Sequence, residues 1–421
     1  MLSIQFIREN PELVKTACTN KNLDPKVIDD LLIIDRQRRE LLPKVEALKA
    51  EANAHARKIG HGGGKPTEEQ INIGRKIKEQ LRAIQPELKQ AQSAFWQLML
   101  EVPNVPAGDT PVGADESGNE VVRTKGEKPD FEFNPLPHQE LMEKLGMLDT
   151  KRAVKIAGFR SYFLQGDGVL LEQALLRYAM DLLLAEGFMP LTVPVMVNKE
   201  TMIGTGYFPW GDEDHYRTQD GQVLTGTAEV ALTARYQDEV LQEVDLPVKM
   251  AGTSLCFRRE VGAHGQDTKG IIRVHQFSKV EQVVYTVADE EVARDWHEKM
   301  TTLSEKLLDD LGLSYQVLAM CTGDMGAGQR KKYDIETWFP AQNKYRETHS
   351  ASYFNDFQAR RLNIRYQAKD GSLKHVYTLN NTMAASPRLL AAIVENYQTA
   401  EGEIEIPEVL QPYMGKELIQ K

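Results

Sequence analysis

The sequence has few cysteines and lacks any long apolar run. Three cysteines, Cys18, Cys256 and Cys321, lie far apart among 421 residues, with no C-x-x-C and no Cys/His pair at metal spacing. This scarcity argues against a disulfide scaffold and against a zinc site. No apolar stretch approaches the roughly 18 residues of a membrane-spanning helix, and the N-terminus MLSIQFIREN resembles neither a signal peptide nor a transit peptide. We therefore expect a cytoplasmic protein with no zinc and no membrane partner.

The commonest nucleotide-binding and hydrolase motifs are also missing. The run from Gly60 to Lys65 superficially resembles a phosphate-binding loop, but Ile59 and Pro66 break the required G-x-x-x-x-G-K-[ST] spacing. No nucleophile elbow, H-E-x-x-H or G-x-G-x-x-G occurs either. Whatever chemistry the chain performs must therefore use a less common nucleotide-binding architecture.

Charge is distributed unevenly along the chain. The whole sequence carries a formal charge of -10, yet residues 31–100 hold 13 lysines and arginines against 8 acidic residues. This asymmetry favours a polyanion-binding appendage on an acidic body. A solvated helical surface without a partner is the alternative.

The same segment carries two heptad patterns, each typical of a narrow helical seam. The first runs through Leu31, Ile34, Arg38, Leu41, Val45, Leu48, Ala52, His55 and Ile59, and the second through Ile77, Leu81, Ile84, Leu88, Ala91, Phe95, Leu98 and Val102. Because the intervening GHGGGKP (60–66) cannot remain helical, we predict an antiparallel hairpin, with kinks at Pro43 and Pro86. A coiled coil used for dimerisation is the alternative.

The remainder of the chain has the composition of an α+β body. A Pro/Gly-rich stretch, 105–135, is interpreted as a linker after an N-terminal domain (1–104) that includes the arm at about 28–102. Beyond it, long segments of strand composition alternate with helical segments at 168–186, 289–312 and 387–400. Long strands with few helices between them predict a mainly antiparallel sheet with flanking helices over 136–421.

One stretch of this body carries chemistry. Phe257-Arg258-Arg259-Glu260 is followed by a polar loop and then by a return segment with Arg273 and Phe277. On extended strands, Arg258 and Glu260 would share one face, as would Arg273 and Phe277, while Arg259 would point to the other side. Such a hairpin offers guanidinium groups for phosphates and an aromatic plate for a base. A chance hairpin of this composition is the alternative.

This pattern resembles motif 2 of the class II aminoacyl-tRNA synthetases, and the other motifs of that class follow in order. Gly187 to Pro194 resembles motif 1, and TLNNTMAASPRLLAAIVENYQ (378–398) resembles motif 3, with Arg388 as its arginine. The helical hairpin, VPNVP, LTGTAEVALTA, TGDMGAG and YRETHSAS are together similar to the seryl-tRNA synthetase family. Two departures are Arg259, where a small polar residue is expected, and the absence of glycines from motif 3.

The resemblance implies a class II catalytic domain over 136–421 that forms a homodimer. It further implies that serine and ATP, with Mg²⁺, give seryl adenylate and pyrophosphate, and that serine then passes to tRNA(Ser). Whether tRNA(Sec) is also a substrate stays open. Two alternatives are an amino-acid-activating enzyme that loads a carrier protein, whose relatives lack a long arm, and a non-catalytic scaffold, which would have lost its key charged residues.

The resemblance also implies roles for individual residues. In the ATP site, Arg258 binds the α-phosphate and the serine carboxylate, Glu260 and the backbone of Val274 contact adenine, Phe277 stacks on it, and Arg388 holds the γ-phosphate; Arg259, Thr348 and His349 complete the set, while Glu347 and Ser350 match ATP and Mg²⁺ ligands. In the serine site are Thr227, Ala228, Glu229, Arg258, Glu281, Asn380 and Thr382. The basic residues expected to bind tRNA on the arm are Arg57, Lys58, Lys65, Arg75, Lys76 and Lys78.

Overall fold

The computed structural model of the chain describes residues 1–61, 65–261 and 270–421. It divides into two compact units, Met1–Pro103 and Asn104–Lys421. The glycine run at the expected reversal of the arm (62–64) and most of the loop after Glu260 (262–269) lie outside the described residues. Within the three described ranges, no helix is long and apolar enough to cross a membrane.

The N-terminal unit is built around a pair of long helices. Its helices are α1 (Ile4–Glu9), α2 (Pro11–Asn20), α3 (Lys26–His61) and α4 (Glu68–Glu101). Side chains of the predicted seam, Leu41 and Val45 on α3 and Leu88 and Ala91 on α4, form a buried cluster between them. Nearer the reversal, His55 Nε2 lies 2.7 Å from the carbonyl oxygen of Gln70. The predicted antiparallel hairpin is therefore confirmed.

Both prolines lie inside these helices rather than at their ends. The seam differs from the heptad pattern near the start of α3, where Asp35 is buried and Ile34 only half-buried. Asp35 accepts two hydrogen bonds from Arg8, at 2.7 and 2.9 Å, and one from Arg38 at 2.9 Å. A buried carboxylate with several guanidinium partners is fully hydrogen-bonded, so this position is polar without an energetic penalty for an unpaired charge.

The second unit contains nine helices and seventeen strands within the described residues. The helices are α5 (His138–Lys144), α6 (Thr150–Ala157), α7 (Asp167–Ala185), α8 (Lys199–Thr205), α9 (Glu229–Ala234), α10 (Glu290–Asp310), α11 (Phe357–Leu362), α12 (Ser386–Asn396) and α13 (Gln411–Met414). The strands are β1 (Glu120–Lys125), β2 (Leu148–Asp149), β3 (Phe163–Leu164), β4 (Met189–Thr192), β5 (Met196–Val197), β6 (Val223–Leu224), β7 (Val240–Gln242), β8 (Val248–Phe257), β9 (Gln276–Thr286), β10 (Tyr315–Ala319), β11 (Lys331–Phe339), β12 (Lys344–Tyr353), β13 (Arg365–Gln367), β14 (Leu373–His375), β15 (Tyr377–Ala385), β16 (Ile404–Glu405) and β17 (Leu418–Ile419).

Eight strands form one large sheet in the order β1-β10-β11-β12-β15-β9-β8-β4. All neighbouring pairs in it are antiparallel except β4 and β8, which are parallel. The helices α7, α10 and α12 correspond to the three predicted helical segments and contribute to the main hydrophobic core. The predicted α+β class is therefore confirmed.

Alternate side chains of β9 face the main hydrophobic core on one side of the sheet and the functional groups on the other. Val280 and Val284 belong to the main core with residues of α7, α10 and α12. Val283 and Tyr285 pack instead in a second cluster with residues of α9 and α11. Because side chains two apart on a strand share a face, Glu281 lies on the second side, where the functional groups collect.

The segment interpreted as a linker contains the edge strand β1. Glu120–Lys125 pairs antiparallel with β10, although Val121 and Val122 stay exposed. At the start of the unit, the buried side chain of Asn104 donates to the carbonyl oxygens of Gly328 and Phe354, at 3.1 and 2.8 Å. This segment is therefore integrated into the body. The sequence does not predict the pairing of β1, because the strand has only six residues and little alternation of polar and apolar side chains.

Candidate active site

The motif 2 hairpin is formed by β8 and β9, whose last paired residues are Phe257 and Gln276. Arg258 lies just beyond the strand, where its N–H donates to the carbonyl oxygen of His275 at 3.0 Å. Glu260 has a φ of 55°, so strand alternation does not extend to it. The prediction of two residues on one strand face is therefore wrong in detail, yet Arg258 and Glu260 still line the same pocket.

The return segment also differs from the prediction. Residues 270–275 form turns and bends, and β9 begins only at Gln276. Phe277 enters the pocket, whereas Arg273 lines a neighbouring cavity and pairs with Glu260 at 3.2 Å. Arg273 and Phe277 are therefore not on one strand face, because only Phe277 belongs to β9.

The pocket spans about 480 Å³, which includes part of its opening to solvent, and it collects most of the residues that the sequence singled out. It lies where the ends of β8 and β9 meet β12, β15 and the start of α12. It is lined by Arg258, Glu260, Ile272, Val274, Phe277, Lys279, Glu347, Thr348, His349, Thr382, Ala385, Pro387 and Arg388. Nine of these belong to the predicted ATP and serine sites.

The two adjacent arginines point in different directions. The guanidinium of Arg258 lies 5.3 Å from the centre of the Phe277 ring, and its Nε donates to the carbonyl oxygen of Gly226 at 3.3 Å. Arg259 is exposed and donates to the carbonyl oxygen of Glu213 at 2.9 Å. Arg258 is thus presented to the pocket over an aromatic ring, and Arg259 lies outside the lining.

A second arginine and a carboxylate form the opposite end of the pocket. Arg388, in the first turn of α12, donates to the carbonyl oxygen and to Oε2 of Glu347, at 2.7 and 3.1 Å. Burial disfavours ionisation of Glu347, but the charges of Arg388, Lys332 and Arg258 outweigh it and lower its pKa to about 2. Glu347 is therefore a carboxylate at any physiological pH.

Behind Glu347, Asp334 on β11 lies opposite Ser350 on β12. Burial and the charge of Glu347 raise the pKa of Asp334 to about 6, although Lys332 Nζ lies 2.9 Å from its Oδ2. A hydrogen bond from the side chain of Ser350 counters part of this rise in the pKa of Asp334. Burial lowers the pKa of His349 to about 4, so this imidazole is neutral and contributes shape rather than charge.

A polar compartment adjoins the pocket. Glu281 is 2% exposed; it accepts a hydrogen bond from Thr227 at 3.1 Å and forms an ion pair with Lys279. Lys279 also donates to Thr382 Oγ1 at 3.4 Å, and Thr382 pairs with Glu281 in the sheet register. The compartment thus combines a carboxylate, an ammonium group and hydroxyls within a buried space.

Glu229 completes this compartment from α9. Its oxygens accept hydrogen bonds from the hydroxyl of Tyr207 at 2.7 Å and from Gln358 at 3.0 Å. Burial, together with the charge of Glu281, raises the pKa of Glu229 to about 7. A nearby positive charge would favour its ionised form.

The remaining residues predicted for the serine site, together with Ser350 of the predicted ATP site, do not line the pocket. Ala228 is fully buried, and a Cβ at Gly252 would lie 3.1 Å from its side chain. Asn380 is buried on β15, two residues before Thr382 and on the same face. Ser350 lies opposite Asp334 and is not part of the pocket lining.

Six contributing residues were not predicted from the sequence: Ile272, Lys279, Ala385 and Pro387 in the pocket lining, and Tyr207 and Gln358 beside Glu229. Lys279 had a usable signal, because a lysine two residues before Glu281 on the same strand must share its face. Tyr207 and Gln358 reach Glu229 from α8's C-terminal turn and from α11, and no local pattern marks such long-range partners.

Known proteins match this chain over almost its whole length. The model of the tRNA synthetase class II core domain (G, H, P, S and T) matches residues 214–397, and that of the seryl-tRNA synthetase N-terminal domain matches residues 1–106. A serine-tRNA ligase of Deinococcus radiodurans is 45% identical over 416 residues, which cover 99% of this chain and 98% of the relative.

Two solved structures are similar throughout. Seryl-tRNA synthetase from Pyrococcus horikoshii, complexed with ATP, has a TM-score of 0.91 and 38% identity, covering 100% of this chain and 99% of the other. The cytoplasmic serine-tRNA ligase of Naegleria fowleri, in complex with AMP, has a TM-score of 0.87 and 34% identity over the same shares.

An antiparallel sheet whose pocket holds one arginine just after β8 and another in the first turn of α12 is the arrangement that the class II aminoacyl-tRNA synthetase motifs imply, and the core-domain match over residues 214–397 agrees with that class. Full-length identity of 45% narrows the assignment further. The chain belongs to the seryl-tRNA synthetase family.

Proposed function

We propose that this chain is a serine-tRNA ligase, which activates L-serine with ATP and transfers the serine to tRNA(Ser). The observation that carries this proposal is the junction of two sites: a pocket with two arginines for phosphates opens onto a buried compartment with carboxylates and hydroxyls for a small hydroxy amino acid. Pyrophosphate exchange with each of the twenty amino acids tests it, and serine should be strongly preferred.

Activation is an in-line attack of the serine carboxylate on the α-phosphate, with pyrophosphate as the leaving group. Such a step needs alignment and charge stabilisation more than an acid or base. Arg258 lies between the two compartments and holds the α-phosphate and the serine carboxylate. Phe277 stacks on adenine, with Glu260 and the backbone of Val274 at its edge, and Arg388 holds the γ-phosphate. Arg259 is left out of this set because its guanidinium binds Glu213.

ATP is the nucleotide named with the similar structure from Pyrococcus horikoshii, and we extend the proposal to Mg²⁺. No group of three or more His, Cys, Asp or Glu suited to a metal occurs in the described ranges. A nucleotide-borne Mg²⁺ needs only one or two carboxylates besides phosphate oxygens. Glu347 and Ser350 would hold it, with the carboxylate of Asp334 beside them. When bound, it neutralises charge on the phosphates.

On the serine side, Glu229 and Glu281 face the ammonium group, and Thr227, Ala228 and Asn380 shape the compartment. Thr382 forms a hydrogen bond with the substrate hydroxyl, and Glu281 accepts a hydrogen bond from it. A site built to hydrogen-bond a hydroxyl rejects an analogue that lacks one, because its buried polar groups would stay unpaired. Alanine should therefore be excluded at this first site.

Replacement of Thr382 by alanine is expected to lower the preference for serine over alanine by roughly tenfold or more. The change removes the hydroxyl next to Lys279 and Glu281 while the sheet pairing remains. The measurement is the ratio of kcat/KM values in pyrophosphate exchange. Thr301→Ala, which removes a buried hydroxyl in α10 bound to the carbonyl oxygen of His297, is the control. An unchanged ratio removes Thr382 from the serine compartment.

The KM for serine is expected to fall by roughly tenfold as pH rises from 6 to 8. Glu229 keeps its proton up to a pKa of about 7, and only the carboxylate attracts the serine ammonium group. The affinity for serine is therefore low at pH values below that pKa and higher at pH values above it. Pyrophosphate exchange at limiting serine measures this, with the KM for ATP as the internal reference. A Glu229→Gln variant should flatten the profile; a flat wild-type profile contradicts the role of Glu229.

The basic face of the arm is the proposed tRNA-binding surface. Arg57, Lys58, Lys65, Arg75, Lys76 and Lys78 are all exposed. The carrier-protein alternative is disfavoured because the long helical pair α3 and α4 is present. We keep the predicted assignment of 1–104 to tRNA binding and of 136–421 to catalysis, with a cytoplasmic location; charging assays with tRNA(Ser) and tRNA(Sec) decide between one and two substrates.

We further propose a homodimer that uses motif 1. The helix α7 and the edge strand β4 that follows it expose three large apolar side chains, Leu170, Leu184 and Met189. An edge strand with exposed apolar neighbours invites pairing with another chain. This surface suits a second copy of the same chain.

A further inference from the structure

The motif 3 helix α12 is linked to the segment after the motif 2 loop in two ways, directly through Arg388 and indirectly through α5. Near its start, Arg388 Nε donates to the carbonyl oxygen of Ile272 at 3.2 Å. Seven residues later, about two turns along and on the same helix face, Glu395 is fully buried. Its Oε1 lies 2.7 Å from His138 Nδ1 and accepts from the His138 N–H at 3.1 Å. Glu395 therefore connects α12 to α5.

His138 also forms a hydrogen bond with the backbone next to Ile272. The N–H of Ile271 donates to His138 Nε2 at 3.3 Å. Because a backbone N–H can only donate, Nε2 must be unprotonated, and the ring proton must lie on Nδ1, where it is donated to Glu395. The two contacts together fix both the tautomer and the orientation of the ring.

The neighbouring residues hold the same segment closely. Gln139 accepts a hydrogen bond from the N–H of Gly270 at 2.6 Å. A Cβ at Gly270 would lie only 2.1 Å from His138 Nε2, so the backbone packs directly against the imidazole. The second oxygen of Glu395 accepts from the N–H of Ala341 at 3.2 Å, in the turn before β12, the strand that carries Glu347.

We propose that His138 and Glu395 are positioning residues for the nucleotide end of the active site. Neither lines the pocket, yet together they anchor the backbone of Ile271, so that Ile272 and the Arg388 bound to it keep one arrangement before ATP arrives. A phosphate-binding guanidinium acts best when its geometry is held in advance. This inference rests on the proposed function, because it takes Arg388 as a phosphate ligand.

The test is His138→Asn in the full-length chain. Asparagine keeps an N–H where Nδ1 lies and can still donate to Glu395, but it lacks the acceptor for the Ile271 N–H. The KM for ATP in pyrophosphate exchange should rise roughly tenfold, while the KM for serine stays within about twofold, because no serine-side residue contacts His138. Equal rises in both KM values, or no rise in either, overturn the proposal.

Two further variants separate the possible outcomes. Tyr397→Phe removes a buried hydrogen bond at the end of the same helix, from the hydroxyl to the carbonyl oxygen of Leu311, and should change stability without changing the KM for ATP. Arg388→Ala should raise the KM for ATP. If Arg388→Ala leaves it unchanged, the proposed nucleotide site fails; if it raises the KM and His138→Asn does not, only the positioning role fails.

If His138→Asn does not fold, a substitution at the half-buried Gln139 tests the proposal instead. Gln139→Ala removes the hydrogen bond to the Gly270 N–H and an exposed one to Glu143 on the same helix, and it should raise the KM for ATP roughly threefold, again without a change for serine. An unchanged KM for ATP in this folded variant overturns the proposal.

Discussion

Replacement of Arg258 by alanine is expected to reduce serine-dependent pyrophosphate exchange by ~10² to 10³-fold. Its guanidinium lies over Phe277 and is tethered through Nε to the carbonyl oxygen of Gly226. We propose that this directs the terminal nitrogens to the place where the serine carboxylate meets the α-phosphate. Lysine offers a point charge instead of a planar, bidentate fork, so Arg258→Lys should restore little activity.

The adjacent Arg259 supplies the matched control. It has the same charge one residue away, but it is exposed and donates to the carbonyl oxygen of Glu213. Arg259→Ser should therefore leave the exchange rate within about twofold. Circular dichroism and sedimentation must show equally folded proteins of unchanged oligomeric state. Near wild-type exchange by Arg258→Ala, or a larger loss in Arg259→Ser, would contradict the proposed role of Arg258.

Periodicity and local motif order were sufficient to predict the helical hairpin and most of the pocket. The seam of the arm repeats over many turns, so Leu41, Val45, Leu88 and Ala91 could be assigned to it without a structure. In the body, Arg258 and Arg388 were found because they stand in recognisable motifs. Their convergence on one pocket follows from the order of the strands, which places β9, β15 and β12 side by side.

The details that could not be predicted depend on local backbone geometry or on distant partners. The backbone of Glu260 has a positive φ, so this residue does not continue the strand. A period-two pattern cannot predict that conformation for a glutamate. Asp35 is buried in an apolar seam with two kinds of partner, Arg38 from its own helix and Arg8 from α1, and the contact with Arg8 lies outside any local pattern. Both cases concern a charged group that strict patterning would have left on the surface.

Removal of the outer arm, residues 49–80 with a short Gly/Ser turn in their place, is expected to lower charging of tRNA(Ser) by ~10² or more, because contacts to phosphates supply much of the affinity for nucleic acid. The buried cluster of Leu41, Val45, Leu88 and Ala91 remains, so the base of the hairpin should still fold. Serine-dependent pyrophosphate exchange should be retained, since no pocket residue comes from this segment.

A charge variant separates the loss of basic groups from the loss of the arm itself. Glutamine at Arg57, Lys58, Lys65, Arg75, Lys76 and Lys78 keeps the exposed helices intact while it removes six positive charges. For each side chain that binds a phosphate, its replacement should flatten the dependence of log K on log salt by roughly one unit or somewhat less. Charging by this variant should fall mainly through the KM for tRNA, with the KM values for ATP and serine unchanged. If the salt dependence of tRNA binding stays at its wild-type slope, these side chains do not bind phosphates, and the basic character of the arm has to be explained by helix solvation alone.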